Sequence, residues 1–307
     1  MGEIRQSRML SGMALMAGAM MLLPCMDAVA KYMSTTGGMS PGQIAFYRFF
    51  FQFVTTVPVL WHVAGMAGFR ARRPWVNLFR GVLHALASLL FFISVKYMPL
   101  ADVFAIYFVE PLMLTALSAA FLGEKVAWQL WAAIVIGFAG ALVVIQPSWE
   151  IFGPTALLPV LCALVYAVYM FLNRAVGEGD APLTMQVMSG LGGTLFMTAV
   201  LVAGEGFGSA DLVPSLPSSS FYLLLLVMLG ALSGYGHLLV VRAFRLAPLS
   251  VLAPFQYFEI ISATALGLIF FGDFPDAGKW IGIAVIIASG LYIIWSEQRQ
   301  RPEDLTL

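Results

Sequence analysis

Residues 96–124 read KYMPLADVFAIYFVEPLMLTALSAAFLGE, and residues 245–273 read RLAPLSVLAPFQYFEIISATALGLIFFGD. Laid over each other at an offset of 149 without a gap, they place Pro99-Leu100 on Pro248-Leu249 and Glu110 on Glu259. Thr115-Ala116-Leu117 falls on Thr264-Ala265-Leu266, Phe121 on Phe270, and Gly123-Glu124 on Gly272-Asp273. Further out, the same offset brings Gly81 onto Gly230, Lys96 onto Arg245 and Trp131 onto Trp280. Chance supplies a few apolar matches in such sequences, but not a matched glutamate inside an apolar run together with a matched glycine–acid turn. The chain is therefore read as an internal repeat, and its architecture follows from how many elements each copy holds.

Composition identifies the solvent. Of 307 residues, 61% are hydrophobic and 10% charged, against roughly 25% charged in an ordinary soluble domain. So few ionisable side chains cannot cover a globule of this size, which excludes a water-soluble enzyme. The formal net charge is zero, so no nucleic-acid partner is expected. Cys25 and Cys162, the two cysteines, lie in apolar stretches, which argues against a disulfide framework or a zinc site. No cofactor is expected, and the lipid bilayer is the expected surrounding.

Ten apolar runs are long enough to cross a hydrocarbon core of about 30 Å: 9–32, 42–64, 75–97, 101–122, 127–146, 153–173, 183–204, 219–241, 249–271 and 277–296. Their continuous apolar character selects helices over barrel strands, in which every second residue faces a polar lumen. Ala28-Val29-Ala30 imitates a signal-peptide cleavage site, but the first run is long, carries Pro24, Asp27 and Lys31, and is expected to be retained. With the N-terminus inside, twelve cations, among them Arg70, Arg72, Arg73, Arg80 and Arg242, fall on inner segments and only Lys96 and Lys279 on outer ones. That bias places both termini in the cytoplasm of a bacterial-type inner membrane. Five runs per copy is an odd number, so the second copy is inverted. The expected fold is an all-α membrane protein of ten transmembrane helices in two inverted five-helix repeats, 1–147 and 148–296, with a cytoplasmic tail at 297–307. Inverted repeats are the physical basis of alternating access to a central site.

Several stretches resemble the EamA-type members of the drug/metabolite transporter superfamily. These are Tyr97-Met98-Pro99-Leu100-Ala101-Asp102, Leu122-Gly123-Glu124-Lys125 and Gly137-Phe138-Ala139-Gly140-Ala141-Leu142, echoed by Leu246-Ala247-Pro248-Leu249-Ser250 and Phe271-Gly272-Asp273. Asp273 departs from the glutamate usual at that turn. The resemblance implies a ten-helix carrier of a small-molecule substrate. A similarly placed arginine after an aromatic is common in the second span of that family, which draws attention to Arg48.

An ionisable group at bilayer depth costs roughly 2.5–3.5 kcal/mol on the insertion scale, so each one needs an account. Glu110 and Glu259 either meet at the repeat interface, binding substrate or a coupling proton, or anchor helix packing. Asp27 and Lys31, spaced i,i+4 on one face, can neutralise each other; alternatively Asp27 is a substrate-binding acid. Arg48 can clamp an anion, partner Glu110 or snorkel. His84 and His237 read as packing histidines before they read as a proton relay. Asn77, Asn173, Gln43 and Gln186 read as interfacial. Tyr107, Gln256 and Tyr257 flank the two glutamates, and Tyr166 lies on the sixth span, so stacking faces sit beside a few polar groups.

The expected substrate-binding set is thus Glu110, Glu259, Arg48, Asp27, Tyr107, Gln256, Tyr257 and Tyr166. Together with the resemblance to a vitamin-uptake branch, the aromatic clusters favour uptake of a flat heteroaromatic compound, riboflavin first. S-adenosylmethionine uptake and amino-acid or metabolite export are the alternatives, and two buried acids favour a cationic ligand. An intramembrane enzyme or a channel is the alternative from another class, although no HExxH or CxxC pattern is present.

Overall fold

The computed structural model describes residues 2–121, 128–176, 180–214, 216–246, 252, 255 and 258–300. They form eleven helices: α1 (Gly2–Thr35), α2 (Pro41–Ala64), α3 (Pro74–Tyr97), α4 (Leu100–Tyr107), α5 (Glu110–Phe121), α6 (Trp128–Phe152), α7 (Leu158–Val176), α8 (Pro182–Phe207), α9 (Ser220–Leu246), α10 (Phe258–Leu266) and α11 (Ala277–Gln300). No strand occurs among the described residues. Six stretches are continuous and apolar enough to cross a membrane by length and composition, and the shorter apolar helices 131–140, 258–271 and 277–292 accompany them.

Local sequence sets the boundaries. Pro41, Pro74 and Pro182 open α2, α3 and α8 at a first-turn position where the missing N–H costs nothing. Ser40 caps α2 by accepting from the Gln43 N–H at 3.2 Å. Gly272 ends the segment after α10 at φ 70°, the left-handed conformation that a glycine–acid turn requires. The fourth apolar run is not one helix. It breaks at Phe108–Val109 into α4 and α5, because Pro111 has no N–H to give the Tyr107 carbonyl.

Packing between helices obeys an exchange of the two halves. α1 lies on α9 as α7 lies on α3, and α2 lies on α9 as α8 lies on α3. α1 contacts α10 as α7 contacts α4 and α5, while α2–α8, α4–α10 and α6–α11 pair equivalent elements. The repeated glycines sit at equivalent crossings. A Cβ on Gly81 in α3 would stand 2.5 Å from the Ser189 carbonyl oxygen in α8, and one on Gly230 in α9 would stand 2.4 Å from the Phe51 Cβ in α2. Only glycine permits backbones this close, so the residue match at offset 149 has a structural cause.

At one end of the bundle, where α1 and α3 finish and α4 and α11 begin, three lysine–aspartate pairs join first-half to second-half residues. They are Lys31–Asp273 at 2.5 Å, Lys96–Asp211 at 2.6 Å and Lys279–Asp102 at 2.5 Å. Lys31 therefore does not neutralise Asp27 along α1. Its long side chain runs toward the end of the helix, where the acids are. At the opposite end Asp180 accepts from the Arg72 backbone N–H at 2.6 Å and from the Asn77 amide at 2.7 Å. Partial burial raises the Asp180 carboxyl, but these donors outweigh it and hold the group below the usual carboxylate range.

Candidate functional site

Between the halves lies a cavity with about 490 Å³ of empty space, its open mouth included. Among its walls are Asp27 from α1, Arg48 from α2, His84, Ser88 and Phe91 from α3, Phe104 and Tyr107 from α4, Cys162 and Tyr166 from α7, His237 from α9 and Glu259 from α10. Both repeats contribute, and the wall combines two carboxyls, one guanidinium, two imidazoles and several aromatic faces. Such a mixture of apolar surface and a few convergent polar groups is what a small-molecule site requires.

Arg48 is 4% exposed, and its partners are all neutral. Nε donates to the Ser233 hydroxyl at 3.0 Å, Nη1 donates to the Ser88 hydroxyl, and Nη2 meets His84 Nε2 at 3.1 Å. A guanidinium has no acceptor atom, so His84 Nε2 accepts and the ring carries its proton on Nδ1. Ser88 passes its own proton to the His84 carbonyl at 2.7 Å. Ser233 passes its proton to Gln52 Oε1 at 3.1 Å, and Gln52 Nε2 in turn donates to Gln186 Oε1 at 3.0 Å. Every link in this chain has one polarity, which fixes the Arg48 plane from behind. Among the described residues no carboxylate lies within ion-pair distance of Arg48. Among the described residues, three of its five N–H groups are engaged.

The aromatic wall is continuous. Phe91 meets Phe104 and Tyr107 edge to face, at 5.1 and 5.8 Å between centroids. Tyr107 meets Tyr166 at 5.9 Å, Tyr166 meets His84 at 5.9 Å, and His84 stands edge-on to His237 at 4.8 Å. The His237 Nδ1 proton goes to the Ser233 carbonyl at 2.8 Å, so its Nε2 is an acceptor. Cys162 Sγ donates to the Ala87 carbonyl at 3.2 Å.

Of the eight expected residues, the structure brings Asp27, Arg48, Tyr107, Tyr166 and Glu259 to one cavity. Glu110 is not itself a lining residue but lies within electrostatic reach of the wall residues Tyr107, Tyr166 and Glu259. It is 6% exposed at the start of α5, one Oε1 buried without a partner. The two glutamates related by the repeat therefore have unequal surroundings. Gln256 and Tyr257 lie outside the described residues. Ser88, Ser233 and Gln52 were absent from the expected set, because small polar residues in apolar helices carry no pattern that ties them to Arg48. His84 and His237 are wall residues as well as packing ones. Gln186, read as interfacial, is 5% exposed and belongs to the buried chain behind Arg48. Arg80, counted among the inner-loop cations, is 7% exposed and lies over the Tyr169 ring at 5.8 Å.

A ten-helix membrane bundle whose two halves enclose an ionisable, aromatic-walled cavity belongs to the class of small-molecule carriers. The chain is a member of the EamA-like transporter family, whose profile matches it twice, over residues 10–146 and 153–295. It is 28% identical over 276 residues to an S-adenosylmethionine uptake transporter of Rickettsia bellii, covering 89% of each chain. It is 26% identical over 297 residues to a riboflavin transporter of Rhizobium johnstonii, covering 97% of this chain and 95% of that one. A pseudopaline exporter of Pseudomonas aeruginosa is also 26% identical, over 92% of this chain and 93% of the other. One solved crystal structure shares the fold with a TM-score of 0.63 at 18% identity, covering 97% of this chain and 99% of its own. The chain is thus a multi-pass membrane protein and a transporter of small metabolites.

Proposed function

We propose that the protein takes up a zwitterionic metabolite carrying a flat heteroaromatic ring, with S-adenosylmethionine as the type. The observation that carries this reading is Arg48, a buried cation held by three neutral acceptors with no acid in ion-pair reach among the described residues. Asp27 attracts the guanidinium only from beyond ion-pair distance; a buried charge met so weakly is costly, and a substrate carboxylate would relieve that cost. Asp27 and Glu259 face the same space and suit an ammonium or sulfonium. The wall of Tyr107, Tyr166 and His84 suits an adenine ring. Riboflavin is the second reading, favoured by the continuity of that wall; it is uncharged and would meet the acids only through its hydroxyls.

In this reading the halves 1–147 and 148–296 open the cavity alternately to the two sides of a bacterial inner membrane. Both termini lie in the cytoplasm, and Asp27 and Glu259 are the groups available to a coupling proton. The test is uptake of labelled S-adenosylmethionine and of labelled riboflavin into proteoliposomes of purified protein. Saturable entry of the first, blocked by excess unlabelled compound, supports the proposal. Saturable entry of riboflavin alone replaces it with the second reading.

A further inference from the structure

Two lysine–aspartate pairs at the end of the bundle opposite the chain termini, Lys279–Asp102 buried and Lys31–Asp273 part-buried, do more than hold helices together. Lys279 opens α11 and reaches Asp102 in the first turn of α4, with side chains 9% and 2% exposed. A lysine in a first turn opposes the helix dipole, so this position is unfavourable for α11 alone and makes sense only through its partners. Asp276 attends it at 3.6 Å. Lys31, near the end of α1, reaches Asp273 beyond α10 at 2.5 Å and also donates to the Met98 carbonyl at 3.3 Å. Both pairs cross between halves, and both lie on elements that wall the cavity or adjoin its walls. Lys96–Asp211 crosses as well, but it joins α3 to the α8–α9 connection and both side chains are about a fifth exposed.

The repeat turns this geometry into an asymmetry. At offset 149 the equivalents of Asp102 and Lys279 are Val251 and Leu130, which cannot form an ion pair. Asp273 has the acid Glu124 as its equivalent. Two halves with the same fold therefore differ in sequence at their opposite ends, and a pair like Asp102–Lys279 is possible at only one of them. We propose that Asp102–Lys279, supported by Lys31–Asp273, is the latch that keeps this end shut in the empty carrier and must part for the cavity to open there. The cation bias places this end outside. The latch rests on the alternating-access reading and is independent of which metabolite is carried.

Removing Lys279 leaves the Asp102 charge buried and uncompensated in the closed state, whereas water receives it in the open state; removing Lys31 does the same more weakly, because Asp273 is a quarter exposed. The substitution thus shifts the equilibrium toward opening. Cys162, a cavity-wall thiol 2% exposed, is a built-in reporter. In vesicles of each orientation carrying the Cys25→Ser protein, a membrane-impermeant maleimide should label Cys162 much faster from the side of the termini than from the latch side. Lys279→Gln should raise latch-side labelling about tenfold, within the usual range for coupled states, and Lys31→Gln should raise it by a smaller factor. The exchange Asp102→Lys with Lys279→Asp should return it toward the parent rate. An unchanged latch-side rate in both single variants overturns the latch, as does an exchanged pair that labels as fast as Lys279→Gln. Equal labelling of the parent from both sides overturns alternating access itself.

Discussion

Replacing Arg48 by methionine separates the two things this side chain does, holding the cavity wall and meeting a ligand. For folding, the loss is small. Ser88 and Ser233 keep their donated hydrogen bonds to the His84 carbonyl and to Gln52, so the losses are the donor to His84 Nε2 and the longer-range attraction on Asp27. One orphaned buried acceptor costs about 1–3 kcal/mol, and removal of an unpaired buried charge offsets part of that. Stability should therefore fall by no more than about 2 kcal/mol. For binding, the loss is a charge-assisted contact worth about 1.5–3 kcal/mol, which raises Kd roughly 10- to 150-fold. Titration calorimetry in detergent with S-adenosylmethionine and with its decarboxylated form distinguishes the two roles. The intact ligand should lose affinity by that factor, and the decarboxylated one should be nearly indifferent. An equal loss for both ligands would refute the assignment of Arg48 to a carboxylate and leave it a wall residue.

Glu259→Gln should weaken a cationic ligand about tenfold, while Glu110→Gln should change its Kd by less than about threefold, since Glu110 lies outside the cavity lining; binding isotherms of both variants check this. Gly81→Ala forces a Cβ to within 2.5 Å of the Ser189 carbonyl and should cost about 1–3 kcal/mol, read as a lowered melting temperature in detergent. Asp180 has a depressed folded-state pKa, so its contribution is full above the ordinary carboxylate value of about 3.9 and is lost as pH falls through the depressed one. The melting curves of Asp180→Ala and parent should therefore differ at neutral pH and converge in strong acid. Saturating substrate should protect Cys162 from maleimide, because its thiol shares the wall with Tyr166 and Asp27.

How much of this was legible in the sequence depends on the kind of signal. Span positions and the repeat are written in long apolar runs and matched turns, and the Gly81 and Gly230 crossings show why those residues recur. Charged groups in apolar helices announce themselves, so Asp27, Arg48 and Glu259 were within reach of sequence reasoning. Their partners were not. Arg48 is held by residues 40 and 185 positions away in the chain, a relation that no periodicity encodes. The i,i+4 spacing of Asp27 and Lys31 suggested a local pair, but a flexible lysine near a helix end has better choices across the bundle. The break at Phe108–Val109 is visible in advance only as Pro111, and proline by itself does not say whether a membrane helix bends or divides.

That break has a mechanical consequence. α4 is eight residues long, a rod of about 12 Å, with Asp102 in its first turn and Tyr107 as its last residue. One end is fastened to Lys279, and the other presents a ring to the cavity. Because α5 is a separate helix, only α4 spans from the Lys279 pair to the cavity. The ion pair and the cavity wall therefore share one short strut, about two turns long, between them.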